Sequence, residues 1–150
     1  MNIIFSEETR PSESIAGKIA KAAELCALSE NLDPDRIEVS VTFVGEEEIH
    51  DLNLHFRNVD HVTDVLSFPQ YEDLTQIPEK GIICLGDVVI CSQQALLQAD
   101  EFGHSPEREI IYLFVHSMFH LMGYDHLNDE DKTAMREQEE KVMQLLGVER

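Results

Sequence analysis

At 150 residues the chain is long enough for one domain with a real core, and 30 acidic side chains against 11 lysines and arginines give it a net charge of −19. A field of that sign repels polyanions at long range, which excludes a general nucleic-acid binder built on a broadly basic surface. It leaves room for a local basic cleft, because exposed charges are largely screened beyond about 8 Å.

No internal repeat, low-complexity tract or Gly/Ser linker divides the chain, so residues 1–150 read as a single domain. Residues 2–5 suggest a short first strand. Ser12 or Ser14 can cap a helix running to about residue 28, with Ile15, Ile19, Ala22, Ala23 and Cys26 on one stripe, and Asp33-Pro34 breaks it. The alternation over 37–43 predicts a half-buried strand. Gly45 turns into a helix from 46 to about 56, with Ile49, Leu52 and Phe56 facing inward. A third strand follows over 64–68, ended by Pro69, and 70–80 reads as a loop. Residues 82–91 form another strand with Gly86 as a bulge, Ser92 caps a helix to 102, and Gly103 closes it. Ser105 and Pro106 are start signals for a strongly apolar helix, and Asn128 caps a last helix to 146, ended by Gly147. The expectation is an α+β domain with about four strands in a mixed sheet, about five covering helices and a buried central helix near the carboxyl end.

Cys26, Cys84 and Cys91 show no C-x-x-C spacing, and on one regular strand Cys84 and Cys91, seven apart, would face opposite ways. This predicts reduced structural thiols and a cytoplasmic protein. No basic-then-apolar leader is visible at the amino terminus. The longest apolar stretch is interrupted by His116, Ser117 and His120 and is too short to span a bilayer, so no membrane partner is expected.

The chemistry is concentrated in the run from His116 to His126, with the spacing H-x3-H-x5-H and Gly123 between the second and third histidines. Four residues of α-helix turn roughly 400°, so His116 and His120 project from one face about a turn apart. Gly123 can take the left-handed conformation that ends a helix, and the chain reversal lets His126 swing back towards the first two rings. A lone histidine on an apolar helix is usually a packed residue. Three converging imidazoles without a fourth ligand describe a catalytic zinc site with an open position, one ion per chain. The preceding apolar run, residues 109–115, would hold such a helix rigidly in the core.

The spacing is also that of the metzincin proteases, which place a glutamate directly after the first histidine as general base. Here that position is Ser117, which cannot serve as that base at neutral pH. His50, His55, His61 and His104 lack ligand spacing and read as surface or loop histidines, and Asn53 as a loop tether. Thr63 and Ser67 are candidate phosphate contacts, with capping and turn roles at least as natural.

A second block fixes the direction. Leu52, Asn53, Phe56, Arg57 and residues 63–69 (T-D-V-L-S-F-P) closely resemble the L-N-x-x-[YF]-R…T-D-V-L-S-F-P signature of the YbeY family. Residues 85–90 resemble its L-G-D-I-V-I strand. His116, His120, Leu121, Gly123, Tyr124, Asp125 and His126 match its H-G-x-x-H-L-x-G-Y-D-H motif, with Ser117 where the family usually has glycine. The resemblance implies a zinc-dependent, single-strand-specific endoribonuclease acting in ribosomal RNA maturation and ribosome quality control, on RNA and not DNA. It also implies contact with the ribosome or small-subunit ribosomal proteins. The alternatives are a metzincin-like metalloprotease, disfavoured by Ser117, and a non-catalytic zinc-containing ribosome-assembly factor. On this resemblance His116, His120 and His126 are metal ligands and Arg57 is the catalytic arginine, able to hold a phosphodiester by two parallel hydrogen bonds. Asp64, Asp87 and Asp125 are candidates for orienting the ligands from behind, with strand-turning and turn-stabilising roles as the plainer alternatives.

Overall fold

Apolar alternation in β2 (Ile37–Val44) puts Ile37, Val39, Val41 and Phe43 on one face, and that face is buried. The computed structural model describes residues 1–125 and 127–147; His126 lies outside the described residues. Within them β2 joins β1 (Asn2–Phe5), β3 (Val65–Pro69) and β4 (Ile83–Cys91) in one sheet of order β1-β2-β4-β3. β1, β2 and β4 run parallel, and β3 pairs antiparallel with β4 at the edge, so the sheet is mixed as expected.

The five α-helices are α1 (Glu13–Ser29), α2 (Glu46–Arg57), α3 (Ser92–Phe102), α4 (Pro106–Leu121) and α5 (Asp129–Leu146). α1, α4 and α5 contribute to the main core on one face of the sheet. α2 covers a smaller cluster on the other face, where Ile49 meets Val44, Leu66, Val89 and Cys91. α4 packs against α1, α3, α5, β3 and β4 and is the buried central helix, with Phe114, Val115, Met118 and Phe119 wholly buried. Each such side chain contributes about 1.5–3 kcal/mol by leaving water, which holds α4 firmly in place. Among the described residues, no helix is long and apolar enough to cross a membrane.

Phe56, expected to face inward, is 59% exposed, because at the end of α2 it reaches only the edge strand, edge-on to Phe68. Three further local expectations change. The cap of α3 is Cys91, not Ser92, because β4 runs directly into the helix and leaves no separate capping residue. Pro69 is the last residue of β3 and does not merely follow it. Its missing N–H is tolerated because β3 is an edge strand.

The third change concerns the cysteines. In β4, Glu38 pairs with Cys84 and Val39 with Gly86, so Leu85 is an extra residue in the ladder. Ile83 and Leu85 face the main core before this bulge, and Val88 and Ile90 face it afterwards. The inserted residue resets the alternation, so Cys84 and Cys91 both point to the opposite face. All three cysteines are free, Cys26 and Cys91 buried and Cys84 exposed. Only glycine fits at position 86: φ is +144°, and a Cβ there would lie 2.2 Å from the Phe68 carbonyl oxygen.

Candidate metal centre and active-site cavity

α4 begins as its sequence dictates. The Ser105 hydroxyl accepts from Arg108 N at 3.2 Å, and Pro106 occupies the first turn. The helix ends at Met122 and Gly123, where Gly123 takes φ +102° and Tyr124 N bonds back to the Phe119 carbonyl at 2.9 Å. That reversal folds the Tyr124 carbonyl onto His120, whose Nδ1 donates to it at 2.9 Å. The glycine that stops the helix therefore also fixes one histidine ring.

His116 is fixed from a distant element. Its Nδ1 lies 2.5 Å from Glu139 Oε2 on α5, and the other oxygen of Glu139 accepts from the Tyr112 hydroxyl at 2.8 Å. A carbonyl or carboxylate can only accept, so both imidazoles carry their proton on Nδ1 when neutral. Both Nε2 atoms then present lone pairs, and these two atoms are 3.1 Å apart. Two lone pairs at that distance repel unless a proton or a metal cation sits between them. Two nitrogen ligands on a tetrahedral ion, with bonds of about 2.0–2.1 Å, stand about 3.3 Å apart. The pair fits a shared divalent ion, and a hydrogen-bond acceptor behind each ligating ring is the usual support of such a site.

The histidines open into a cavity of about 560 Å³ lined also by Arg57, Thr63, Asp64, Ser67, Glu72 and Asp125. Asp64, Glu72 and Asp125 supply three carboxylates against the single guanidinium of Arg57. That balance alone would repel a phosphate, and a divalent cation on the histidines would reverse it locally. Arg57 is exposed at the last residue of α2, and the next residue, Asn58, caps the helix in the left-handed conformation at φ +58°. Among the described residues no carboxylate pairs with the Arg57 guanidinium.

Asp64 reaches the cavity, but its carboxylate serves the strand. Oδ1 accepts from Val65 N at 2.7 Å and Oδ2 from Gln98 on α3 at 3.0 Å. Asp125 lines the cavity beside Tyr124. Asp87 is exposed on β4 next to Val88, which faces the main core, so it lies on the opposite side of the sheet and outside the cavity lining. The carboxylate behind His116 is instead Glu139. A sequence signal for it exists: α5 buries Met135, Glu139, Val142 and Met143, so one acid sits in an apolar stripe.

Ser117 is wholly buried, and its hydroxyl shares a 2.5 Å hydrogen bond with Ser67 on β3, so it clamps α4 to the sheet. Asn53 tethers the loop after α2 through His61 O at 2.9 Å, and His50 ties the same loop through Asp60 Oδ1 at 2.7 Å. Burial, with Glu139 and Glu30 nearby, pushes the Cys26 thiol far up, which keeps it protonated and inert. Burial and the bond to Glu30 push the Tyr124 phenol up to about 12, so its hydroxyl stays a donor to α1's end.

The description "Endoribonuclease YbeY" matches residues 2–147 of this chain. A curated protein of that name from Caldanaerobacter subterraneus subsp. tengcongensis is 44% identical, covering 100% of both chains. One from Finegoldia magna is 42% identical over 95% of this chain and 90% of its own, and one from Clostridioides difficile is 46% identical over 93% and 90%. The solution structure of TM1509 from Thermotoga maritima is 28% identical with a TM-score of 0.65, covering 96% of this chain and 88% of that one.

Proposed function

The chain belongs to the endoribonuclease YbeY family, and we propose that it cuts single-stranded RNA in the cavity between Arg57 and the paired histidines. Endoribonuclease activity makes it a hydrolase of RNA phosphodiesters. One observation carries this reading of the site: two imidazoles locked from behind so that their Nε2 atoms meet at 3.1 Å, in a cavity that also holds Arg57.

In this reading His116, His120 and His126 hold one divalent ion. The third ligand enters on the H-x3-H-x5-H spacing alone, and zinc is favoured because three imidazoles suit it. When bound, such an ion polarises a phosphoryl oxygen or lowers the pKa of water. The chain's own residues do the rest. The Arg57 guanidinium grips the non-bridging oxygens of the phosphodiester by two parallel bonds and offsets the charge that develops there. Glu139 and the Tyr124 carbonyl keep the Nδ1 protons of the two rings in place, so the Nε2 lone pairs stay aimed at the ion. Asp64 holds the start of β3, and with it Thr63 and Ser67, against α3. A concave site of this kind favours an unpaired strand, whose backbone can bend to bring one phosphate to its floor.

The activity belongs, in this reading, to ribosomal RNA processing in the cytoplasm. A charge of −19 gives the protein little affinity for RNA through its overall field, which supports delivery of the substrate by the ribosome or a small-subunit protein. The test is purified protein incubated with single-stranded RNA, duplex RNA and an unstructured peptide, each with and without chelator. Chelator-sensitive cleavage of the single strand alone is expected. Metal-loaded protein that cuts no RNA would point to a non-catalytic assembly factor, and cut peptide to a protease.

A further inference from the structure

A second concavity, of about 380 Å³, shares His116 with the first and is lined by Tyr112, Lys132, Met135, Arg136 and Glu139. Lys132 and Arg136 lie four residues apart on α5, so they stand on one face, about 6 Å apart along the axis. Both are exposed, and neither is in an ion pair among the described residues. On a chain with 11 basic and 30 acidic side chains, two exposed cations one turn apart in the lining of a concavity beside a candidate metal ligand are unusual.

The plain alternative is a solvated helix face. Acids are at hand on α5 for such a face, since Glu140 follows Arg136 by four residues, yet no pair forms between them. The carboxylate within the concavity is also engaged elsewhere. Glu139 accepts from the Tyr112 hydroxyl at 2.8 Å and from His116 Nδ1 at 2.5 Å and is in no ion pair with Lys132 or Arg136, so the lining carries two cations against one carboxylate.

We propose that this second concavity is a phosphate subsite for the same RNA strand. It rests on the function proposed above. The strand whose scissile phosphate lies between Arg57 and the histidines continues past His116, and Lys132 and Arg136 hold a neighbouring phosphate. A cationic track along the backbone, without base contacts, is how single strands are held independently of sequence.

The experiment uses metal-loaded protein and a labelled, 2′-O-methylated single-stranded 12-mer, checked by gel to stay intact through the titration, with binding followed by fluorescence anisotropy in rising salt. The double variant Lys132→Gln/Arg136→Gln should lower the log–log salt slope by about 1.4, because each single-strand phosphate contact contributes about 0.7. A fourfold rise in salt would then weaken the variant about sevenfold less than the wild type. Lys141→Gln, elsewhere on α5 and outside the concavity, serves as control and should bind like the wild type. On a cleavable strand the double variant's loss should fall mainly on KM. Slope and affinity equal to the wild type, while Arg57→Ala still weakens binding, would overturn the subsite and leave the proposed function standing. A double variant that loses its metal or its melting transition would make the two residues structural and would also overturn it. Wild-type protein that neither binds nor cuts the single strand would remove the functional reading and the subsite with it.

Discussion

Glu139 is the test of whether the paired histidines are held for a metal. Its carboxylate accepts from the Tyr112 hydroxyl and from His116 Nδ1, and its side chain is 5% exposed. Glu139→Ala strands both donors, at about 1–3 kcal/mol each if water cannot reach them. The His116 side chain is 26% exposed, so water replaces part of that loss, and about 2–3 kcal/mol remains. For a chain of this size that is a fall in melting temperature of about 4–12 °C. Glu139→Gln keeps the shape and one acceptor oxygen, and should cost about 1 kcal/mol, or a few degrees. Its effect on metal should be larger than its effect on folding. Without the carboxylate behind it, His116 becomes a weaker and less fixed ligand, and affinity for zinc should drop about 10–100-fold. Competition titration with a zinc indicator, run beside a thermal melt, separates the two. Glu139→Gln that melts early but binds zinc as tightly as the wild type would refute the reasoning, because the carboxylate would then be supporting α4 and α5 and not the ligand.

Three further outcomes are expected. Arg57→Ala should keep its metal and its melting temperature to within a few degrees, since exposed substitutions usually cost within about 0.5 kcal/mol, while RNA cleavage falls about 10²–10³-fold; Arg57→Lys should recover only part, because an ammonium lacks the bidentate fork, and full cleavage by Arg57→Ala would make the residue a bystander. His120→Ala should lose the bound ion in metal analysis, and a full equivalent retained would exclude the histidine site. Gly86→Ala should be severely destabilised or insoluble, because its Cβ would lie 2.2 Å from the Phe68 carbonyl oxygen with φ at +144°, and a near-normal melt would show that the bulge relaxes.

The local elements were legible because their causes are local. Ser105 and Pro106 start α4, Asn128 starts α5 with its side chain accepting from Asp131 N, and Gly147 ends α5 in the left-handed conformation. The four-residue step from His116 to His120 is likewise a property of the helix, which is why the two rings could be paired before any fold was known. The family's motif residues pointed to Arg57, and the cavity brings it together with His116 and His120.

What sequence could not supply depends on which distant elements meet. Glu139 lies 23 residues from His116 and reaches it only because α5 packs on α4. Ser117 bonds Ser67 across 50 residues, and Asp64 is held by Gln98 across 34. The facing of Cys84 and Cys91 turned on a bulge that shows only when β4 is laid against β2, since one inserted residue reverses every later side chain. Periodicity and capping are written in neighbouring residues and set the elements and the ligand spacing. The carboxylate behind His116, and the nearness of Lys132 and Arg136 to that ring, exist only once the helices pack: the apolar stripe of α5 marks Glu139 as buried, but burial of apolar faces chooses what it meets.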